Sequence, residues 1–231
     1  MDFGLSGDQV ALQDSVNRYL DERAGLEHVR AFAAGGGYHE IWQGLTELGV
    51  AALLLPDDQG GAGMNVLDAA LVAESLGAHV TPSPFIGSAV IAPLALQHLE
   101  RKIATPYLSS LIDGSATAGI AFSELAGARA DAGVHAAAHK LSGKSLFVLD
   151  PLANFQLVAT TDNALYLVDA GAQGLQQLVH TTIDRTRVSG ELRFNNTPGT
   201  LISDDPELVA NLLDTARIML VADTLGAAQH M

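Results

Sequence analysis

LGVAALLLPDDQGGAGMN, residues 48–65, joins an apolar run to a glycine-rich loop and leads into the helical pattern VLDAALVAESLG. A glycine loop between a strand-like run and a helix can hold a phosphate on its backbone N–H groups. Here the spacing is not G-x-G-x-x-G, no parallel β-α-β pattern follows, and the acidic pair Asp57–Asp58 would repel a phosphate. We therefore interpret Gly60–Gly63 as a structural turn.

The chain around this segment, up to about residue 113, has the apolar spacing of amphipathic helices. Ser6 or Asp8 is a suitable N-cap for the first helix. Further helices are predicted at His39–Leu48, Val66–Leu76, 87–98 and 100–113. Gly77 is expected to stop the helix that begins at Val66.

From Thr117 onward the pattern changes to short runs rich in Val, Leu, Phe and Thr, separated by Gly, Asp and Asn. These runs are typical of strands at close spacing, and they are AGIAFSE, AAAHKLSGKSLFVLD, FQLVATT, ALYLVDA and TRVSGELRFNN. We expect a small antiparallel sheet or barrel over residues 117–203.

A helical pattern returns at Pro206 and continues to the last residue printed. Its apolar positions occupy more than one side, which predicts burial on several sides. The sequence thus predicts an α+β protein with an N-terminal all-α domain (1–115), a middle β domain (116–204) and the first helix of a C-terminal helical bundle (205–231).

Composition excludes several classes of function. The net charge of −14 disfavours binding to nucleic acid or to an anionic membrane surface, and the absence of cysteine excludes disulfides and thiol nucleophiles. We see no secretory signal and no apolar stretch near the ~20 residues that a membrane span needs. These features predict a cytoplasmic protein with neither nucleic acid nor membrane as a partner.

Other catalytic patterns are weak. His135 and His139 are four residues apart, but they fall in a predicted strand segment without a third ligand nearby, so we predict no metal site. The sequence has no G-x-S-x-G element to support a hydrolase triad.

Helices, then a β domain, then a buried helix is an unusual order, and with four motif-like stretches it resembles the acyl-CoA dehydrogenase family over the whole chain. The stretches occur in the family's order, and they are FGLSGDQVALQDSVNRYL (3–20), residues 48–65, GIAFSELAGA (119–128) and LSGKSLFVLDPLANFQLVAT (141–160). The resemblance implies the family's fold and FAD-dependent oxidation of the Cα–Cβ bond of an acyl-CoA. In such enzymes a glutamate removes the α-proton while the β-hydride passes to the flavin.

The first group of flavin-site residues implied by the resemblance lies in GIAFSELAGA. Ser123 stands where a Thr hydrogen-bonds the flavin, and Glu124 and Gly127 match the family. Ala128 replaces a Ser that bonds flavin or CoA phosphate. Phe122 precedes Ser123 and is included among the candidate flavin-site residues, although an aromatic side chain at this position is more typical of the hydrophobic core.

The second implied group is Leu146, Phe147 and Val148. Leu146 replaces the Trp that packs on the flavin, and Val148 replaces a Thr near its reactive nitrogen. With Ala128, two hydroxyls and one indole of a standard site are therefore missing. Each lost hydrogen bond costs roughly 1–3 kcal/mol, so the resemblance predicts weakened FAD binding.

No catalytic base is identified. In some branches of the family the glutamate lies on the helix after the β domain, where this chain has Ala216. Asp214 is two residues away, about 200° around a helix, and faces elsewhere. In most of the family the base lies in a later helical region that these 231 residues lack.

Three interpretations remain open at this point. The first is a fragment or one subunit of an acyl-CoA dehydrogenase, a homo- or hetero-oligomer whose partner completes the site. The second is a non-catalytic structural subunit. A flavin monooxygenase-like relative is the third and more remote interpretation.

Overall fold

The computed structural model describes residues 4–122 and 132–230. Its α-helices are α1 (Gly7–Arg23), α2 (Leu26–Ala33), α3 (His39–Glu47), α4 (Val66–Ala78), α5 (Ala92–Leu96), α6 (Arg101–Ile112) and α7 (Pro206–Gln229). Its strands are β1 (Ala118–Ala121), β2 (Gly133–Ala137), β3 (Lys140–Leu149), β4 (Phe155–Ala159), β5 (Leu165–Asp169), β6 (Leu175–Val179), β7 (Ser189–Pro198) and β8 (Thr200–Ser203). The predicted α+β fold is confirmed.

Two helix starts are fixed by reciprocal side-chain caps. Ser6 accepts from the Gln9 backbone N–H, and the Gln9 side chain accepts from the Ser6 N–H. Asn65 and Asp68 form the same kind of reciprocal cap at the start of α4. The Gln9 amide also donates to Asp68 at 2.9 Å, so the two caps join α1 to α4.

The apolar run in residues 48–65 is not a strand. It forms a 3₁₀ turn at Val50–Ala52, and residues 50–55 are buried beneath the helices. A second 3₁₀ turn at Asp57–Gln59 leads into the glycine loop. Between α4 and α5 the buried segment Ile86–Ile91 is a π-helix.

The sheet is mixed, which corrects the antiparallel prediction. The strand order is β6-β7-β3-β1-β4-β5-β8, with β2 paired to β3 at the side, and the β1–β4 pair is parallel. A parallel pair needs a crossover connection, and here the β2–β3 segment supplies it. Local turn signals indicate hairpins and carry no information on such a distant pairing.

One hydrophobic core crosses the predicted domain boundaries. Helical residues such as Trp42 and Leu76 pack in the same cluster as Ile120 and Phe155 of the sheet and Leu212 of α7. The other sheet face encloses a second, smaller cluster that includes Leu141, Val158 and Phe194. The boundaries at residues 115 and 204 stay a prediction.

Helices α4 and α7 make an unusually close contact through two glycines. A Cβ on Gly77 would lie 1.9 Å from the Asp223 carbonyl oxygen, and one on Gly226 would lie 1.9 Å from the Glu74 carbonyl oxygen. The prediction that Gly77 ends its helix was wrong, because α4 continues to Ala78. Gly77 is needed for interhelical approach and does not act as a stop.

Helix α7 is buried along one face only, which corrects the prediction of burial on several sides. Val209, Leu212 and Met219 lie in the core. The opposite face leaves apolar side chains 44–68% exposed, and these are Ile218, Leu220, Val221 and Leu225. Within the described residues, no helix is both long and apolar enough to cross a lipid bilayer.

We expect Gly226→Ala to destabilise the protein. Helix propensity alone would favour Ala by about 1 kcal/mol. The new Cβ would meet a backbone oxygen that can move only with its helix, and overpacking of this kind costs typically 1–3 kcal/mol. Urea unfolding should therefore give a lower free energy of unfolding than the parent.

The matched control is Gly7→Ala in α1, where nothing lies within 4 Å of an added Cβ. That variant should unfold like the parent or be slightly more stable. Equal or increased stability in Gly226→Ala would contradict the close-contact explanation.

Candidate functional site

A β-bulge in β3 holds the second group of predicted flavin residues. The pairing of β3 with β7 shifts register between Ser145 and Val148. At the bulge Phe147 adopts φ +56°, which is strained for a non-glycine residue, and its side chain is 62% exposed. Leu146 beside it is half-buried. The bulge thus holds an aromatic ring away from the core.

Among the other residues predicted for the flavin site, those that the structure describes do not join Leu146 and Phe147 at the surface of the bulge. Val148 is fully buried in the second hydrophobic cluster, and Phe122 is buried in the core beneath the helices. Ser123, Glu124, Gly127 and Ala128 lie outside the described residues. Within the described set, Leu146 and Phe147 are therefore the predicted residues that offer side-chain surface to a ligand.

The glycine loop has no backbone donors left for a phosphate. The N–H groups of residues 60–64 all donate to backbone carbonyls, including Ala62 to Ala52, Gly63 to Leu55 and Met64 to Leu53. A Cβ on Gly61 would lie 1.9 Å from the Leu55 oxygen. The loop folds back over the buried 3₁₀ turn, as expected for a structural element.

The position expected for a catalytic base on α7 is apolar and buried. Ala216 lies in the core. Asp214 is exposed and forms an ion pair with Arg217 at 2.8 Å. Asp223 forms a partly buried ion pair with Arg187 at 2.6 Å. Both neighbouring carboxylates are thus held by arginines.

The two histidines singled out above do not converge on a metal. His135 Nδ1 lies 2.7 Å from the Thr161 hydroxyl, and His139 is in the β2–β3 turn. Within residues 4–122 and 132–230 there is no group of three or more His, Asp or Glu arranged to hold a metal ion.

A cavity of about 430 Å³ lies between the helical half and the end of β3, and the motif analysis did not anticipate it. Its walls include the aromatic residues Phe32, Tyr38 and Trp42, and Asp150 also lines it. Asp150 is only 8% exposed. The cavity therefore combines aromatic walls with a buried acid.

The backbone fixes Asp150 in place. Its N–H donates to the Val188 carbonyl at 3.0 Å, and its carbonyl accepts from the Gln156 amide at 3.1 Å. Its φ is +55°, a conformation that Asp and Asn tolerate better than most residues. An Asp followed by Pro is typical of a turn, but nothing local in the sequence shows that the Asp150 side chain is buried.

Burial raises the pKa of Asp150 to about 7, although the positive charge of Arg187 lowers it. Burial also raises the pKa of Tyr38 to about 12, and the nearby Asp150 carboxylate adds to that increase. Strongly shifted groups in a cavity are typical of functional sites. This is a physical signal that composition and spacing do not contain.

We expect Asp150→Asn to change how stability depends on pH. The folded-state pKa lies above the unfolded value, so the folded protein holds this proton between about pH 4 and pH 7. Stability of the parent should fall as pH rises through that range, by up to about 4 kcal/mol, because each pKa unit corresponds to about 1.36 kcal/mol. Urea unfolding at pH 5 and pH 8 should show a smaller fall in the variant.

Asp113→Asn is the control, since the pKa of exposed Asp113 is lowered by its hydrogen bonds with Ser115. It should retain the fall in stability that the parent shows. If the stability of Asp150→Asn depends on pH in the same way as that of the parent, Asp150 is already ionised across this pH range and its charge is balanced in the folded protein.

Comparisons with known proteins agree with this architecture. Residues 6–115 match the family model described as acyl-CoA dehydrogenase, N-terminal domain. The chain is 31% identical over 229 residues to acyl-CoA dehydrogenase IpdE2 of Mycobacterium tuberculosis, covering 95% of this chain and 59% of that protein. The chain thus spans about three fifths of the length of the curated relatives it matches.

Solved structures of known proteins share the fold. A variant of the Tcur3481–Tcur3483 steroid ACAD superposes with a TM-score of 0.84 at 26% identity, over 96% of this chain and 64% of that one. The ChsE4–ChsE5 complex from Mycobacterium tuberculosis gives 0.85 at 21% identity, over 100% of this chain and 66% of that one. Residues 6–115 thus match the N-terminal domain of acyl-CoA dehydrogenases, and the helical domain, mixed sheet and following helix together have the fold of these enzymes.

Proposed function

We propose that this chain is part of an FAD-dependent acyl-CoA dehydrogenase that introduces an α,β double bond into an acyl-CoA thioester. The observation that carries the proposal is the similarity to the IpdE2 acyl-CoA dehydrogenases, which extends over 95% of the chain and so includes the β domain as well as the helices. The domain division at residues 115 and 204 belongs to the same proposal.

Two of the residues proposed for the flavin site offer a surface suited to a planar ring. Exposed Phe147 and half-buried Leu146 present apolar surface at the β3 bulge. Ser123 would supply a hydroxyl to the ring, with Glu124, Gly127 and Ala128 in the same segment. The chemistry that FAD supplies when bound is acceptance of the hydride from the β-carbon.

Removal of the α-proton needs a base that the described residues do not place on α7, where Ala216 is buried. We infer that a longer form of the chain or a second acyl-CoA dehydrogenase-like subunit supplies it. The exposed apolar face of α7, formed by Ile218, Leu220, Val221 and Leu225, is the surface that such a covering element would bury. Two structural relatives, ChsE4–ChsE5 and Tcur3481–Tcur3483, are themselves two-protein assemblies.

Cytoplasmic location, and the lack of nucleic acid or membrane partners, stay predictions from charge and composition. The net charge of −14 would repel both phosphate backbones and anionic lipid headgroups.

The visible absorption spectrum of the purified chain, and of the chain co-expressed with a candidate dehydrogenase subunit, tests the function. A flavin band near one per active site, bleached by an acyl-CoA, is the expected result for the complex. A complex that forms without flavin against this β domain would support the structural-subunit interpretation instead.

We expect Ser123→Ala to lower flavin occupancy in that complex, because it removes the remaining hydroxyl of the motif. A lost hydrogen bond costs roughly 1–3 kcal/mol, which corresponds to about five- to 150-fold weaker binding. Ser15→Ala, on the exposed side of α1, is the control and should leave occupancy unchanged. Unchanged occupancy in Ser123→Ala would mean that this β domain does not hold the flavin ring.

We also expect the chain alone to self-associate through the exposed face of α7. Val221→Glu places a charge at the most exposed of these positions and should reduce the sedimentation coefficient toward that of a monomer. A well-folded monomer of the unchanged sequence in sedimentation velocity would contradict the proposed pairing surface.

A further inference from the structure

We propose that the cavity lined by Phe32, Tyr38, Trp42 and Asp150 is a binding site for a small organic ammonium ion. The inference does not rest on the proposed function. It concerns the junction between the helical half and the end of β3, and it would stand if the chain proved to be a non-catalytic subunit.

The shape of the cavity suits a small molecule. Its volume of about 430 Å³ lies within the range of about 300–1,000 Å³ usual for ligand pockets. The rings of Phe32 and Tyr38 lie 6.0 Å apart with a tilt of 33°, and Trp42 lines the same space. Aromatic faces around one volume are the surface by which proteins recognise organic cations.

The charge at the cavity wall favours a cation. Within residues 4–122 and 132–230, burial and the charge of Arg187 are the two influences on the Asp150 carboxyl, and no hydrogen bond contributes. Arg187 is itself bound to Asp223 at 2.6 Å. Two carboxylates thus share one guanidinium, and a second cation at Asp150 would balance the cluster.

Other ligand charges fit less well. Above about pH 7, where Asp150 is ionised, an anion would be repelled by its carboxylate, and a neutral molecule would leave that charge balanced only by Arg187, which Asp223 also binds. His39 also lines the cavity, but it is exposed to solvent. The overall charge of −14 raises the local concentration of cations around the protein.

A second polar group at the site lacks a partner. The indole N–H of Trp42 is buried, and no acceptor is found for it within the described part of the chain. Buried donors are normally satisfied, so this one indicates an acceptor from outside the described part of the chain.

The chain reports binding directly, because Trp42 is the single tryptophan of the sequence. Titration of the full chain with benzylammonium chloride at pH 8 and low salt should change Trp42 fluorescence saturably, and calorimetry should give the same Kd. Benzyl alcohol is the neutral probe of matched shape and should bind at least about tenfold more weakly, since it lacks the charge. Equal binding of the two probes would overturn the proposal.

Asp150→Asn keeps the size of the side chain and tolerates its positive φ. It should weaken benzylammonium binding at least about tenfold and leave benzyl alcohol unaffected. Asp58→Asn is the matched control, since Asp58 is an exposed acid paired with Arg101 at 3.1 Å outside the cavity. Unchanged benzylammonium affinity in Asp150→Asn would also overturn the proposal.

If Asp150→Asn fails to fold, Tyr38→Leu serves as a second variant, because it removes an aromatic wall and retains the charge. It should weaken benzylammonium binding severalfold and increase the salt sensitivity of what remains. If Tyr38→Leu binds benzylammonium as tightly as the parent does, the proposed site is overturned, just as it would be by unchanged affinity in Asp150→Asn.

Discussion

The close contact between α4 and α7 is the constraint on which much of the structure depends. Each helix carries a glycine at the crossing, Gly77 on one and Gly226 on the other, and each would drive a Cβ into a carbonyl oxygen of its neighbour if it were larger. Because the backbones approach so closely, α7 is held against the N-terminal helices although the whole β domain separates them in sequence. The shared core from Trp42 to Leu212 is closed by this contact.

The position of α7 determines the electrostatics at the edge of the β domain. Asp223 lies on α7 and binds Arg187, which precedes β7, so the ion pair fastens the sheet to the helix. Arg187 is then committed, and Asp150 remains buried with a pKa raised by that burial. The position of one helix thus decides that Asp223 binds Arg187 directly, while Asp150 stays buried at the wall of the cavity under the weaker influence of the same guanidinium.

The family resemblance and the geometry contribute different things to the function. The resemblance implied a flavin surface, and the structure shows that Leu146 and Phe147 offer side chains at a bulge while Val148 belongs to the core. It also implied a missing base, and Ala216 is buried among apolar neighbours. The exposed face of α7 and the lack of a carboxylate at Ala216 both suit a chain that works with further structure around it.

The sequence by itself determined the start of the first helix near Ser6 or Asp8, the helix-then-sheet order, most of the strands and the resemblance to the family, because these depend on local periodicity and on motifs that are contiguous in the chain. It did not determine the short strands β6 and β8, the parallel β1–β4 pair, the role of Gly77 or the one-sided burial of α7. It also gave no sign that Asp150 lines a cavity. Only the tertiary structure decided these, because each depends on segments far apart in sequence coming together, and the burial of a side chain is set by whatever packs against it.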